Sequence, residues 1–497
     1  MESPDIAGRG LARRRLSVVH IFFFTVAASA PLTVLGGGVT TTFAVTGAVG
    51  VPLSYLLIAV ALGLFAVGYA AMSRYVSNAG AFYAYLANGL GRSWGVSGSF
   101  VAVIAYNAMQ VGLYGLFGSV LGSFVHDKFP SVDFPWWAWV LVAMALIAVL
   151  GILRVDLNAT ILAVMLLLEI FVTALFDIGA FLHPADGTVS TAGLNPTNLF
   201  GSSVIGALGV VFALGIASFT GFESGAIYSE ECKDPRRTVG RATFAAVAFT
   251  GIFYALSSWA LTVAAGPDKV VAQSKDQGPG ILFGLLNQQW GGFVADVANV
   301  LFITSIFAAL LSFHNSVSRY LFALGRERVL PATLGRTGVA SGAPVAGSVV
   351  QTTIALVTVL IFAIAHRDPV LELFTWLSTM GAAGILLLMA GTSVAVIGFF
   401  LRVRTEETLW QRMIAPVLAT IMLSVMMWFT VANFGALLGT NQPSYLRWLL
   451  LVLLGGAVVA GLCWGAVLKR IRPVEYQLIG RGALEPIGDE AEAIPVG

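Results

Sequence analysis

A glutamate and a glycine interrupt a long apolar stretch of this chain. Gly221 and Glu223 lie in the segment 215–241, which begins apolar and ends in a cationic loop containing a proline. An acidic side chain at bilayer depth costs roughly 2.5 kcal/mol or more on insertion scales. A helix broken there must also find partners other than lipid for its freed backbone groups. The pair therefore predicts a solute-binding site inside a membrane, with Glu223 accepting a proton or closing a gate. The alternative role for Glu223 is a permanently protonated carboxyl bonded to a neighbouring helix.

The elements that must position this site are membrane helices. Of the 497 residues, 58% are hydrophobic and 10% charged, whereas soluble domains have about 25% charged residues. The charges fall between apolar runs of about 20 residues, the length that crosses a bilayer. This predicts an all-α polytopic membrane protein of twelve transmembrane helices. We number the predicted spans 1 to 12 in chain order: 17–44, 50–73, 94–125, 135–153, 157–181, 203–229, 241–265, 291–324, 344–365, 371–400, 411–435 and 446–468.

The distribution of cationic residues predicts the orientation. With the N-terminus inside, 22 of the 27 Lys and Arg residues fall in inner segments and 5 in outer segments, as the positive-inside rule requires. We therefore expect a multi-pass protein of the cytoplasmic membrane with both termini cytoplasmic. The basic N-terminus and residues 28–30 imitate a cleaved signal peptide, but Pro31 follows directly. We expect an uncleaved first span.

Interruptions in spans 1 and 6 predict internal symmetry. Span 1 is interrupted across residues 28–31 and again at 36–38, and span 6 across 218–221. Paired interruptions in two halves indicate a transporter site, and a repeat of five spans makes the halves inverted. The predicted organisation is a cytoplasmic N-terminal segment 1–16, a first five-helix repeat 17–181, a second inverted five-helix repeat 203–400, two extra C-terminal helices 11 and 12 in 411–468, and a cytoplasmic tail 469–497. The outer loop 266–290 is a candidate partial lid.

Other classes of function are disfavoured. The sequence has no zinc-ligand, nucleophile–base or nucleotide-binding pattern, and no soluble effector domain. Cys232 and Cys463 are placed for neither a disulfide nor a metal cluster. We expect no enzyme activity, no cofactor, no metal and no nucleic-acid partner. The expected partners are a small-molecule substrate, a coupling ion and membrane lipid.

Three motifs resemble those of the amino acid–polyamine–organocation (APC) superfamily of permeases. The first is Phe219–Ser224 with the charged loop behind it; the second is the small-residue and tyrosine sequence Asn78–Tyr85; the third is Asn315–Arg319 followed by 325–331. Their order and spacing match, and the resemblance covers residues 15–470. One departure lies at the span 1 break, where Ala30-Pro31-Leu32-Thr33 stands in place of the usual Gly-Ser/Ala-Gly-Ile type of sequence.

Backbone groups at two such breaks suit a zwitterion. Helix dipoles place positive potential at exposed N–H groups and negative potential at exposed C=O groups, and the resemblance implies that both groups of an amino acid are held this way. The candidate substrate-binding residues, including two from a polar stripe of span 3, are Ala28, Ser29, Ala30, Leu32, Thr33, Ser218, Phe219, Thr220, Gly221, Phe222, Tyr106 and Gln110. That stripe alternatively bonds between helices.

Glu223 and Glu169 are the candidate coupling or gating residues. Glu169 lies deep in span 5, and its alternative role is a hydrogen bond between helices. The sequence predicts a secondary active transporter, a symporter that moves an amino acid by alternating access, with H⁺ as the coupling ion. The alternatives are a polyamine or organocation carrier, an uncoupled amino acid exchanger and, from another class, a membrane nutrient sensor.

Overall fold

The computed structural model describes residues 16–153, 155–202, 204–338, 341–438 and 444–482, and these are almost entirely helical. Eleven helical segments of the described chain are long and apolar enough to cross a membrane. They are Val18–Thr46, Val51–Met72, Arg92–Lys128, Thr160–Leu182, Ile205–Glu231, Arg236–Ala265, Gly292–Arg326, Val345–Ile364, Pro369–Arg402, Trp410–Ala432 and Tyr445–Ile471. These segments correspond to spans 1 to 3 and 5 to 12, so the prediction of a polytopic helical membrane protein is confirmed.

Span 4 is shorter than expected. Its helix, Trp136–Gly151, has 16 residues, which gives a length of about 24 Å against a hydrocarbon core of about 30 Å. It packs against spans 3 and 9. The count of twelve spans therefore stays a prediction, as do the inverted repeat and the division into segments.

Spans 1, 3 and 6 form the centre of the bundle, and spans 9, 11 and 12 its periphery. The most apolar stretch of span 3 is 78% buried, whereas those of spans 9 and 12 are 28% buried. Large apolar side chains on the outer spans are exposed, among them Ile361, Trp428 and Val452. Exposed apolar surface of this extent suits contact with lipid.

Span 1 is broken at Ala30. Its first helix, Val18–Ser29, ends because Ala30 adopts a left-handed conformation with φ of 46°. Residues other than glycine rarely adopt this conformation. Pro31 then begins the next helix, where its missing N–H costs nothing. The expected second interruption at Gly36–Gly38 is instead a π-helical segment, Val34–Val39, which runs without a break into the helix Thr40–Thr46.

Span 6 is broken at Thr220 and Gly221. The helix Leu208–Phe219 ends there, Thr220 is extended, and Gly221 has φ of 117°. The chain continues as a 3₁₀ helix, Phe222–Glu231. Both interruptions predicted from Pro31 and Gly221 are therefore confirmed.

Short helices cover the two ends of the bundle. The segment 266–290, which was expected to be a loop, contains the helices Val270–Gln277 and Gly280–Trp290. The second of these packs against spans 5 and 8. At the other end lie the helices Phe82–Gly89, between spans 2 and 3, and Pro473–Leu478, after span 12.

Candidate functional site

The two helix breaks touch each other. A Cβ added to Gly221 would lie 2.6 Å from the Cβ of Ala28 and 3.1 Å from the backbone nitrogen of Ser29. Glycine is required at this position on two counts, the contact and the positive φ. The close approach brings the carboxyl ends of the helices Val18–Ser29 and Leu208–Phe219 to one point.

Backbone carbonyls from both breaks surround Ser29. Its hydroxyl is within 3.4 Å of the carbonyl oxygens of Phe219 and Thr220. The Tyr254 hydroxyl of span 7 donates to the Ser29 carbonyl at 3.2 Å. Because each carbonyl has two lone pairs, these groups can accept further hydrogen bonds from a cation. The negative ends of two helix dipoles favour one here.

Glu223 closes the turn at the break in span 6. One carboxylate oxygen accepts from the Gly221 backbone N–H at 2.9 Å, and the other accepts from the Tyr106 hydroxyl of span 3 at 2.7 Å. Its carbonyl accepts from the Tyr69 hydroxyl of span 2 at 2.9 Å. The side chain is fully buried. Glu223 thus ties the break to two neighbouring spans.

Glu169 has the corresponding place at the break in span 1. Its Oε2 accepts from the Leu32 backbone N–H at 3.4 Å and from the Ser305 hydroxyl of span 8 at 2.7 Å. The Thr33 hydroxyl and N–H also lie within 3.4 Å of the Ser305 oxygen. The N–H groups of Leu32 and Thr33, two of the candidate substrate-binding residues, therefore already have hydrogen-bond partners within the protein.

A cavity of about 570 Å³ begins at the breaks and reaches the exposed side chains of Val45 and Leu371. Of the predicted substrate residues, it is lined by Ala28, Ser29, Ala30, Thr33, Ser218 and Thr220. Its walls come from spans 1, 3, 6, 8, 10 and 11, and none of the described side chains that line it is charged. The cavity therefore suits a solute whose charges are met by backbone groups and whose side chain is apolar.

The face of span 3 that lines the cavity is not the predicted polar face of Tyr106 and Gln110. Met109, Leu113 and Leu116 line the cavity, whereas Tyr106 and Gln110 do not. Gln110 is fully buried between spans, where its amide donates to the Leu310 carbonyl at 3.3 Å and its oxygen accepts from Gln351 of span 9. The polar stripe bonds helices together, which was the alternative interpretation, and Tyr106 reaches the site through Glu223.

Four further candidates lie behind the cavity wall. Leu32, Phe219, Gly221 and Phe222 are all buried and absent from its lining. The Phe219 ring packs between those of Tyr55 and Tyr254, with centroids at 6.0 and 5.4 Å. These residues shape the breaks rather than face the open space.

Sequence reasoning missed several polar groups beside the breaks. The Tyr55 hydroxyl lies 3.1 Å from the Ser218 hydroxyl, and Ser305 joins Glu169 to Thr33. Ser378 and Thr379 of span 10 line the cavity. Each is a hydroxyl within an apolar span, and that signal could have marked them, although such groups are too common in membrane helices to select alone.

Two ion pairs, one buried and one partly buried, close the opposite end of the site. We call this end, which carries Leu16, Glu230, Glu231, Arg319 and Arg326, the closed face. Arg319 donates to both oxygens of Glu231, at 2.6 and 3.3 Å, and Arg326 to both oxygens of Glu230, at 2.6 and 2.7 Å. The Leu16 N–H donates to the Glu231 carbonyl at 3.0 Å. These contacts join span 8 to the end of span 6.

A sequence comparison identifies the family. The profile of the family described as "Amino acid permease" matches residues 16–457. The chain belongs to the amino acid permease family. It is a multi-pass membrane protein of a transporter family and not an enzyme, as the sequence predicted.

One curated relative is the branched-chain amino acid permease BcaP of Lactococcus lactis subsp. cremoris (strain MG1363). It is 26% identical to this permease over an alignment of 305 positions, and the alignment covers 58% of this chain. The match spans 63% of that relative's length.

Proposed function

We propose that this permease is a secondary active transporter that moves a neutral amino acid with an apolar side chain across the cytoplasmic membrane by alternating access, coupled to protons. The observation that carries the proposal is the meeting of two helix breaks at an uncharged cavity. Such breaks supply fixed partial charges for a zwitterion without any ionised side chain.

Recognition of the amino group rests on the carbonyl ends of two helices. The ammonium group would lie beside the carbonyls of Phe219 and Thr220, each of which lies 3.4 Å from the Ser29 hydroxyl. The carboxylate would turn to the start of the second half of span 1, at Leu32 and Thr33. A buried cation needs such acceptors, because leaving it unpaired costs several kcal/mol.

The apolar wall favours a branched side chain. Met109, Leu113, Phe313 and Leu386 line the cavity, and the curated relative bears the name of a branched-chain amino acid permease. A polyamine or other organocation would need carboxylates in the cavity, and the described lining residues are uncharged. We therefore propose leucine, isoleucine and valine as the substrate class.

Glu169 offers a direct route to proton coupling. An ionised Glu169 holds the Leu32 amide and would repel the substrate carboxylate. A proton on Glu169 removes that charge and frees the amide for the substrate, so that the two ligands bind together. Such reciprocity between two ligands is what coupling requires.

The closed face is proposed to be cytoplasmic, because 22 of the 27 cationic residues belong to segments predicted to lie inside. The cavity then opens outward, and the two arginine–glutamate pairs form the inner closure. The described conformation corresponds to the state that receives substrate from outside.

The test is uptake of labelled leucine into proteoliposomes. An inward proton gradient, at clamped membrane potential and without sodium, is expected to drive accumulation, and isoleucine and valine to compete better than putrescine. Putrescine competing better would overturn the substrate class. Leucine exchange without accumulation under any proton gradient would show an uncoupled exchanger, and leucine binding without flux would show a sensor.

A further inference from the structure

The C-terminal segment crosses the closed face in a defined path. We call residues 473–482 the strap. The Tyr476 hydroxyl lies 2.9 Å from the Ser93 hydroxyl, and the Gln477 carbonyl accepts from Arg92 at 3.2 Å. Farther along, the Gly480 carbonyl accepts from Asn88 at 3.1 Å, and the side chain of the neighbouring Ile479 is buried.

The strap ends on the carboxylate of Glu327, directly after span 8. The backbone N–H groups of Gly480 and Gly482 donate to its two oxygens at 2.6 and 3.2 Å. The Tyr83 hydroxyl and the Asn78 amide also donate, each at 2.6 Å. Burial raises the pKa of the Glu327 carboxyl, and the bonds from Tyr83 and Gly480 act in the opposite direction.

Two glycines make this path possible. Gly480 and Gly482 have φ of 82° and 76°, a conformation that favours glycine. A Cβ on Gly480 would lie 2.7 Å from the Ala87 Cβ, and one on Gly482 would lie 2.6 Å from the Ser77 carbonyl oxygen. The backbone is therefore held against the protein where it meets Glu327.

Glu327 lies beside one of the two ion pairs of the closed face, that of Arg326 with Glu230. Its Oε1 lies 4.0 Å from Arg326 Nη2, while Arg326 forms its two short bonds with Glu230. Glu230 also accepts from the Ala79 N–H at 2.9 Å, in the loop that provides Asn78. Two carboxylates thus lie close to one guanidinium, and the strap amides bond one of them.

We propose that the strap is a regulatory latch: by bonding Glu327, it leaves Arg326 to Glu230 and so keeps this face closed. Release of the strap removes the Gly480 and Gly482 donors and leaves the Glu327 carboxylate with Tyr83 and Asn78. The less fully bonded carboxylate then competes with Glu230 for Arg326 and weakens the contact between spans 6 and 8. The latch rests on the alternating access proposed above. An event that pulls on or modifies the C-terminal segment would thereby set the transport rate.

The chain contains its own reporters for each step. The peptide bond after Arg481 lies within the strap, so trypsin cleavage there measures release. Cys232 is buried, and its backbone forms an isolated β-bridge with Leu16. Burial, together with the nearby charges of Glu231 and Asp234, raises the pKa of the Cys232 thiol to about 12. Its neutral thiol is a poor nucleophile, so maleimide labelling of Cys232 measures opening of the closed face. Replacing the exposed Cys463 by alanine leaves Cys232 as the one cysteine of the chain.

The experiment compares Gly480→Val with Gly187→Val in purified protein carrying Cys463→Ala. Gly187 also has positive φ, at 70°, but a Cβ there meets nothing within 4 Å, so it controls for backbone strain. Gly480→Val is expected to speed cleavage at Arg481 and to speed Cys232 labelling about tenfold, the effect of losing one hydrogen bond to a charged group. Gly187→Val is expected to change neither.

A second variant tests the competition itself. Gly480→Val combined with Glu327→Gln keeps the strap released but removes the competing charge, so Cys232 labelling is expected to return to the rate of the parent protein. Faster cleavage at Arg481 with unchanged labelling in Gly480→Val would overturn the latch, as would labelling that stays fast in the double variant.

Failure of the proposed function would look different. In the parent protein, leucine is expected to increase Cys232 labelling by moving the permease through its inward-facing state. If leucine leaves the rate of Cys232 labelling in the parent protein unchanged, the proposal of alternating access is wrong, whatever the result for the strap variants.

Discussion

Glu169 and Glu223 occupy matching positions in the two helix breaks, where each carboxylate accepts a backbone N–H at the start of a half-helix. Glu169 bonds the Leu32 amide at 3.4 Å and Glu223 the Gly221 amide at 2.9 Å. The second oxygen of Glu223 goes to a tyrosine, whereas Glu169 Oε2 is shared with a serine. The N–H groups at the start of both half-helices thus already have a carboxyl partner within the protein, and a substrate carboxylate must displace one.

Replacing Glu169 by glutamine removes the titratable group while keeping its size. Leucine counterflow is expected to persist, whereas accumulation driven by a proton gradient falls about fivefold or more, the lower end of typical coupling between two ligands. Asp177→Asn is the matched control, since Asp177 is a buried acid of the same span that accepts from Ser257 at 2.8 Å. Equal losses in both variants would contradict a specific role for Glu169.

The bond between Tyr106 and Glu223 is expected to hold span 3 to span 6. In a double-mutant cycle, Tyr106→Phe and Glu223→Gln should show a coupling energy of about 1.5–3 kcal/mol, typical of a hydrogen bond to a charged group. Urea unfolding in detergent measures it. Strictly additive losses would mean that the 2.7 Å contact contributes nothing to stability.

Adding one methyl group at Gly221 is expected to stop transport. Alanine there must adopt φ of 117° and meet Ala28 at 2.6 Å, and the strain alone costs about 1–3 kcal/mol. The control is Gly63→Ala in span 2, where a Cβ meets nothing within 4 Å and alanine favours the helix by about 1 kcal/mol. Leucine uptake and thermal unfolding check both variants, and normal uptake by Gly221→Ala would refute contact between the breaks.

The ion pair of Arg319 and Glu231 is buried, with side-chain exposures of 3% and 1%. Removing one partner leaves an unpaired charge, so Glu231→Gln is expected to lower the free energy of unfolding by about 3–5 kcal/mol. Lys128→Gln, which breaks an exposed pair with Asp296, is expected to cost less than about 1 kcal/mol. Chemical unfolding compares them, and similar costs would mean that water reaches Arg319.

Local backbone rules predicted the breaks, because Pro31 fixes its own φ and lacks an N–H, whereas Gly221 permits the positive φ at which the helix ends. The same rules gave Tyr106 and Gln110 a common face but could not say which neighbour that face meets, since almost every position of a membrane helix is apolar. The hydrogen-bond partner of Glu169 could not be predicted from the sequence for another reason. Ser305 lies 136 residues away in the chain, and only the tertiary packing of spans 5 and 8 brings the two together.

The loop between spans 7 and 8 shows a different limit. The segment 266–290 does contain a turn, at Gly278 and Pro279, but helices lie on both sides of it. Their moderate polarity and short length made them look like a loop. Leu282 packs against the segment at Gly36, and this tertiary contact stabilises the helix Gly280–Trp290, which is too short to be stable alone.

The size of the cavity bears on inhibition. At about 570 Å³, it falls within the range of sites that accept drug-sized molecules. A compound with an amino acid head group would bind at the helix breaks. A bulky apolar extension toward Val45 and Leu371 would prevent the open end of the cavity from closing. Selective inhibitors of this permease would therefore share the head group of the substrate and differ from it in the apolar extension. A molecule small enough for the cavity to close over it would be transported, and one that extends through the open end would inhibit.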